Sequence, residues 1–251
     1  MNFVKQLFLS LVLICAPVFI TIAAAAQTTV TFPAKDGLPV VGDWYPTQNS
    51  DAPIILLCHQ ARFSRGEYKE IAPRLNKFGF NCLAIDQRAG DRVNKIDNET
   101  AKLAKERGLK TDYLDAEQDI VAAVKYLNEK YKKKIIIFGS SYSASLALKV
   151  AKENEAVGAV IVFSPSEYFD DKNFVAERCA GLDKPIFATS SKDHADELTD
   201  LIKDVVSRLK VQYIPQSEGE SGSKVLWSEK TGNQEYWIAL MSFLTKVKDI
   251  R

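Results

Sequence analysis

KKKIIIFGSSYSASLALKVA, residues 132–151, is the stretch that decides the fold. Ile135–Phe138 is a compact apolar run, residues 139–145 are small apart from Tyr142, and residues 146–151 turn apolar again at helical spacing. That order reads as a buried strand, a tight turn and a buried helix. Within it, Gly139-Ser140-Ser141-Tyr142-Ser143 fits G-x-S-x-G, except that serine replaces the last glycine. A tight strand-to-helix turn strains its central residue and leaves no room for bulky neighbours, which accounts for the run of small side chains. It would also lift the Ser141 hydroxyl above the sheet, beside the positive end of a helix dipole. The plainer reading of the same residues is a serine-rich cap on a buried helix.

The rest of the chain alternates strand and helix signals with no low-complexity linker and no internal repeat. Thr28–Phe32 and Val40–Tyr45 read as two early strands, with Asp36-Gly37 between them favouring a hairpin turn. Further strand runs are Ile54–Cys58, Cys82–Ile85, Val157–Phe163, Ile186–Thr189 and Val211–Ile214. They are continuous rather than alternating, as strands buried on both faces of a parallel sheet require. Tyr113, Ile120, Val124 and Leu127 mark a helix with Asp112 as its cap, and residues 98–107 a shorter one. Leu198, Leu201, Ile202, Val205, Val206 and Leu209 form an apolar stripe at helical spacing, and Trp237, Leu240, Met241 and Leu244 mark a last helix. The expected architecture is α/β, with a mostly parallel sheet of about eight strands, helices on both faces, and ligands at the carboxyl ends of the strands.

The N-terminus reads differently. Lys5, a mostly apolar run over residues 7–22 and small Ala23–Ala26 match a secretory signal peptide cleaved after Ala26. The expected domains are therefore a signal peptide, 1–26, and a single α/β domain, 27–251, in a periplasmic or secreted protein. Cys15 follows Val12-Leu13-Ile14, which lacks the small residue that a lipoprotein site wants. Removing residues 1–26 takes away one lysine and no acid, leaving 32 basic and 32 acidic side chains. Such a balance gives no argument for nucleic acid or an anionic membrane surface, and no later apolar run approaches a membrane span. Cys58, Cys82 and Cys179 are an odd number, and Cys58 and Cys82 sit in apolar runs, which favours buried free thiols over a disulfide. Two dispersed histidines and three dispersed cysteines give no metal-ligand spacing, and no phosphate or dinucleotide loop is present, so neither metal nor cofactor is expected. Asn98-Glu99-Thr100 matches a glycosylation sequon, a three-residue match common by chance.

With these residues in view, the chain resembles the α/β-hydrolase superfamily, in its dienelactone-hydrolase-like branch, over nearly all of residues 27–251. IILLCHQARFSRGEY (54–68) resembles the third strand and its oxyanion loop, NCLAIDQRAG (81–90) the fourth strand and its D-x-R turn, and VIVFSPSEYF (160–169) the sixth strand. The resemblance implies Ser141 as nucleophile, backbone N–H groups of Gln60 and Tyr142 as oxyanion hole, and loop-fixing roles for Asp86 and Arg88. It places the acid in PIFATSSKDHADE (185–197), with Asp193 first and Asp196 second, and the base in EGESGSKVL (218–226). There, Ser221-Gly222 stands where His-Gly is expected, and no histidine follows it.

Three residues remain as candidates for the base: His59, which precedes the oxyanion loop; His194, beside Asp193; and Glu220, if burial raised its pKa. His59 also reads as a loop support and His194 as a surface residue. Two functions follow. One is an exported serine hydrolase, esterase-like, acting on a small ester with an atypical or incomplete triad of Ser141, His194 and Asp193. The other is a non-catalytic hydrolase-fold protein that keeps the sheet, turn and pocket but binds a ligand or partner.

Overall fold

The computed structural model describes residues 27–249; the expected signal peptide lies outside them. Its order is β1 (Thr28–Pro33), β2 (Pro39–Tyr45), β3 (Ile54–Cys58), α1 (Ile71–Lys77), β4 (Asn81–Ile85), a small hairpin of β5 (Arg92–Val93) and β6 (Ile96–Asp97), α2 (Glu99–Glu106), α3 (Glu117–Tyr131), β7 (Ile135–Ser140), α4 (Tyr142–Glu153), β8 (Val157–Phe163), α5 (Phe174–Cys179), β9 (Ile186–Thr189), α6 (Ala195–Leu201), β10 (Lys210–Tyr213) and α7 (Asn233–Val247). Eight strands form one sheet in the order β1-β2-β4-β3-β7-β8-β9-β10. Strand β2 is antiparallel to β1 and β4, and every later pairing is parallel.

The continuous apolar runs are explained by burial on both faces. In β3, Ile54, Leu56 and Cys58 enter one core with helices α3, α4 and α6, while Ile55 and Leu57 enter the other with α1 and α7. Every residue of β3 and β4 is buried, because successive side chains point to opposite faces and both faces are covered. Each such Ile or Leu contributes roughly 1.5–3 kcal/mol from apolar burial. Cys58, Cys82 and Cys179 are buried free thiols, and burial pushes the Cys179 thiol up to about 11.

Two helix expectations are corrected. Asp112 does not cap α3: the chain enters through a tight turn at Leu114–Ala116, with the Asp112 N–H bonded to Asp115 Oδ2 at 3.0 Å. The apolar stripe from Leu198 does not stay helical to Leu209, since α6 ends at Leu201 and Val206 is exposed. Tertiary pairing wins there: Val206 N–H goes to Leu182 O at 2.9 Å, and Ile186 N–H takes Leu209 O at 2.9 Å as the chain turns into β10.

Two arginines fix the loops at the carboxyl ends. Arg65 is nearly buried and pairs with Asp43, Asp86 and Glu99. Burial pushes the Asp86 carboxyl up to about 6 against the pull of Arg65. Arg88 pairs with buried Asp119 and with Asp36, each at 2.7 Å. Among the described residues no helix is long and apolar enough to cross a membrane.

Candidate active site

Strand β7 runs directly into α4 through Ser141, whose φ of 57° and ψ of −125° lie in a region that L-residues rarely adopt. Such a conformation costs on the order of 1–3 kcal/mol and persists only where its surroundings over-determine it. Here Ser141 N–H donates to Phe163 O at 2.8 Å, and Ser141 O accepts from Ala144 N at 2.8 Å. Gly139 has no alternative, because a Cβ there would come 2.5 Å from Ser143 O and 2.6 Å from Ala144 Cα. Ser143, which replaces the usual glycine, is buried and bonded: its Oγ lies 2.7 Å from Cys58 O and 2.9 Å from Ser140 O, and accepts from Ser140 N at 3.1 Å. The hydroxyl therefore ties the turn to β3. Ser141 Oγ itself makes no hydrogen bond to any described residue. The Tyr142 N–H opens α4, where amides have no helical partner and the dipole is positive.

Directly beneath the turn lies a carboxylate that the sequence reading missed. Glu67 is fully buried. Its Oε1 accepts from Ser140 Oγ at 2.8 Å and Ser223 Oγ at 2.6 Å, and its Oε2 from Gln60 N at 2.7 Å. Burial pushes Glu67 up to about 7, against the opposing bonds from Ser223, Gln60 N–H and Ser140 and the field of Lys224. Glu67 thus joins the loop after β3, the serine turn and the loop after β10. The late loop is pinned further by Gly222 N–H to Ser164 Oγ at 2.9 Å and Ser223 N–H to Ser140 Oγ at 2.8 Å. Gly222 has φ of 80°, and a Cβ there would meet Gln60 Oε1 at 2.2 Å. The only sequence signal was a lone glutamate inside SRGEY, with nothing to say that three donors would converge on it.

The candidate bases separate clearly. His59 is fully buried; its Nδ1 lies 2.8 Å from Gln60 O, and its Nε2 accepts from Gln87 N at 3.0 Å. Burial lowers its pKa to about 4. Both ring nitrogens are committed, so His59 is a neutral loop pillar. Asn98 completes that pillar, with Nδ2 3.1 Å from His59 Nε2 and 2.8 Å from Gln87 O, while Oδ1 caps α2 at Ala101 N. The sequon asparagine is therefore buried and engaged. Glu220 pairs with Lys230 and Lys224; partial burial pushes its carboxyl up, but those bonds outweigh it and hold it below the ordinary range, which disfavours it as a base.

His194 and Asp193 do meet: His194 Nδ1 lies 3.0 Å from Asp193 Oδ1 and 3.1 Å from Ser191 Oγ. The Ser191 hydroxyl, then His194, hold the Asp193 carboxyl below its usual value. Both side chains are more than half exposed, at 57% for His194 and 67% for Asp193. His194 Nε2 has no partner among the described residues, and His194 shares a cavity with Ser221. Neither histidine is bonded to Ser141 Oγ. Asp196 is exposed in the first turn of α6.

Two successive amides of the loop after β3 differ in their bonding. Gln60 N–H is taken by Glu67 Oε2, whereas the next amide, Ala61 N–H, makes no hydrogen bond among the described residues. Among the described residues no cluster of three metal-ligating side chains occurs.

Three comparisons set this geometry in context. The model of the dienelactone hydrolase family matches residues 44–210. No curated protein matches the sequence. Among solved structures, an esterase from Pyrococcus furiosus superposes with a TM-score of 0.69 at 18% identity, over 88% of this chain and 92% of that one. A dienelactone hydrolase from Anabaena variabilis gives 0.68 at 16% identity, over 89% and 99%. A cold-adapted esterase from an Arctic intertidal metagenomic library gives 0.61 at 14%, over 89% and 94%. At these identities the likeness establishes the fold.

Proposed function

The chain belongs to the dienelactone hydrolase family, and on that premise we propose that it is an exported serine hydrolase of small esters with an atypical triad. The observation that carries this reading is Ser141: a non-glycine residue held at φ 57° with its hydroxyl uncommitted at the N-terminus of α4. Ser141 Oγ attacks the ester carbonyl, and the negative oxygen so formed is held by the N–H groups of Tyr142 and Ala61. One such donor is worth about 3 kcal/mol in the transition state. The proton passes to His194 Nε2, with Asp193 balancing the imidazolium at Nδ1. It is then given to the departing alkoxide, and water releases the acyl group by the reverse roles. The proton transfer requires His194 to leave its present contact with Ser191, and its side chain is 57% exposed.

A second reading has its own observation. Ser141 Oγ has no base in contact, and serine is a poor nucleophile until its proton is removed. On this reading the fold binds a small ligand without turning it over. Fluorophosphonate labelling separates the two. The hydrolase labels rapidly, loses labelling in Ser141→Ala, and slows by orders of magnitude in His194→Ala. A protein that never labels and hydrolyses no ester is the binding protein. Export rests on residues 1–26, and N-terminal sequencing of the native protein should begin near Gln27.

A further inference from the structure

We propose that the cavity between the loops following β8 and β9 is a subsite for a neutral polyhydroxylated group, so that the ester this site takes is an O-acylated carbohydrate. The assignment rests on Ser141 as nucleophile for the acyl part, while the cavity supplies the alcohol part. Its volume is about 540 Å³, within the range of about 300–1,000 Å³ for small-molecule sites. It opens at the carboxyl ends of the strands, where ligands bind in open α/β sheets. Ser141 does not line it, but Ser164, which does, directly follows Phe163, whose carbonyl accepts the Ser141 N–H.

The lining sets the ligand class. Five serines face the cavity (Ser164, Ser166, Ser190, Ser191 and Ser221), together with Asn173. Pro165, Ala176 and Leu201 are its only aliphatic members. Ser190 Oγ donates to Ser191 O, Ser191 Oγ meets His194 Nδ1 and Ser164 Oγ accepts from Gly222 N–H, which leaves Ser166 Oγ, Ser221 Oγ and the Asn173 amide as open polar groups that an apolar acyl or alkyl chain would leave without a partner. Lys172 and Lys203 line the cavity together with Glu167, Glu197 and Asp200, so the rim carries no positive excess to draw an anionic ligand. What remains is a neutral ligand offering many donors and acceptors at once. Tyr168 provides one wall: its hydroxyl donates to Ser164 O at 3.0 Å, which fixes the ring. An aromatic face attracts the C–H edge of a pyranose.

A second, independent feature lies at the same rim. Ser164 has φ of 55°, a left-handed conformation on a non-glycine residue. It is held by Ser164 N–H to Thr189 O at 2.7 Å and by Gly222 N–H to Ser164 Oγ at 2.9 Å. Strain of this kind clusters at ligand sites. It turns the end of β8 away from the sheet and carries residues 164–168 into the cavity wall.

The test is binding, read separately from turnover. Xylobiose and cellobiose are titrated into the Ser141→Ala protein and followed by NMR chemical-shift perturbation, with galacturonate and n-hexanol as anionic and apolar controls. The disaccharides are expected to bind and both controls to bind more weakly. Ala176→Phe, which fills the cavity, should weaken the disaccharides about tenfold, or 1.4 kcal/mol, with the melting temperature unchanged. If that variant fails to fold, Asn173→Leu serves instead, since the Asn173 side chain is exposed and makes no capping bond. Disaccharides that do not bind, controls that bind as tightly, or binding untouched by the filling variant overturn the proposal. Sugar binding without any fluorophosphonate labelling of wild type keeps the subsite and removes the hydrolase; labelling without sugar binding does the reverse.

Discussion

The Ser223 hydroxyl donates to Glu67 Oε1 across 2.6 Å, joining residues 156 positions apart at the floor of the serine turn. Glu67 touches the loop after β3, the residue before Ser141 and the late loop together. Its protonation is therefore coupled to how firmly those three segments are held.

Glu67→Gln should flatten the pH dependence of stability. The folded pKa is raised to about 7 from 4.5, so between those values the folded state holds a proton that the unfolded state has lost. Stability from this group is fully present below about pH 4.5 and is lost as pH rises to about 7, a change of order 3 kcal/mol. Glutamine mimics the protonated form. Melting curves from pH 5 to 8 should fall less steeply in the variant; an equally steep fall sinks the assignment.

Ser221→His should create or enhance ester hydrolysis by about 100-fold or more, the scale of a positioned general base. Ser221 lines the same cavity as His194, whose Nδ1 lies 3.0 Å from Asp193 Oδ1. Adding Asp193→Asn should remove most of the gain. Kinetics on a short acyl ester read the outcome, and a variant no faster than wild type shows that Ser221 is not the vacated base position.

Gly139→Ala should cost more than about 3 kcal/mol, in the range reserved for severe steric defects. The added Cβ would lie 2.5 Å from Ser143 O and 2.6 Å from Ala144 Cα, both backbone atoms that cannot rotate away. Denaturant unfolding measures it. A loss under about 1 kcal/mol would mean that the turn relaxes freely.

Arg88→Met should destabilise by about 3–5 kcal/mol, the typical penalty for breaking a buried ion pair from one side. It leaves Asp119, fully buried, without the guanidinium 2.7 Å away. The double variant Arg88→Met/Asp119→Leu should recover much of that loss, because no charge is then left buried. Urea titrations of both variants decide it.

The sequence by itself determined the sheet, the serine turn and the helices on either side. A strand buried on both faces must be apolar at every position, as in Ile54–Cys58, and a turn with no room for side chains must be small, as in Gly139–Ser143. Those demands are local, so they are written in consecutive residues. That Ser221-Gly222 stands where the family resemblance expects His-Gly was equally legible. Tertiary structure alone decided which polar groups meet. Glu67 draws its donors from Gln60, Ser140 and Ser223, three separate loops. The Gln60 amide is consumed there, His59 loses both ring nitrogens to neighbours, and Asn98 is buried beneath them. The stripe from Leu198 to Leu209 promised a longer helix, yet Leu182 O claimed the Val206 amide. Hydrogen bonds between loops distant in sequence form only when the sheet closes, and no periodicity along the chain records them.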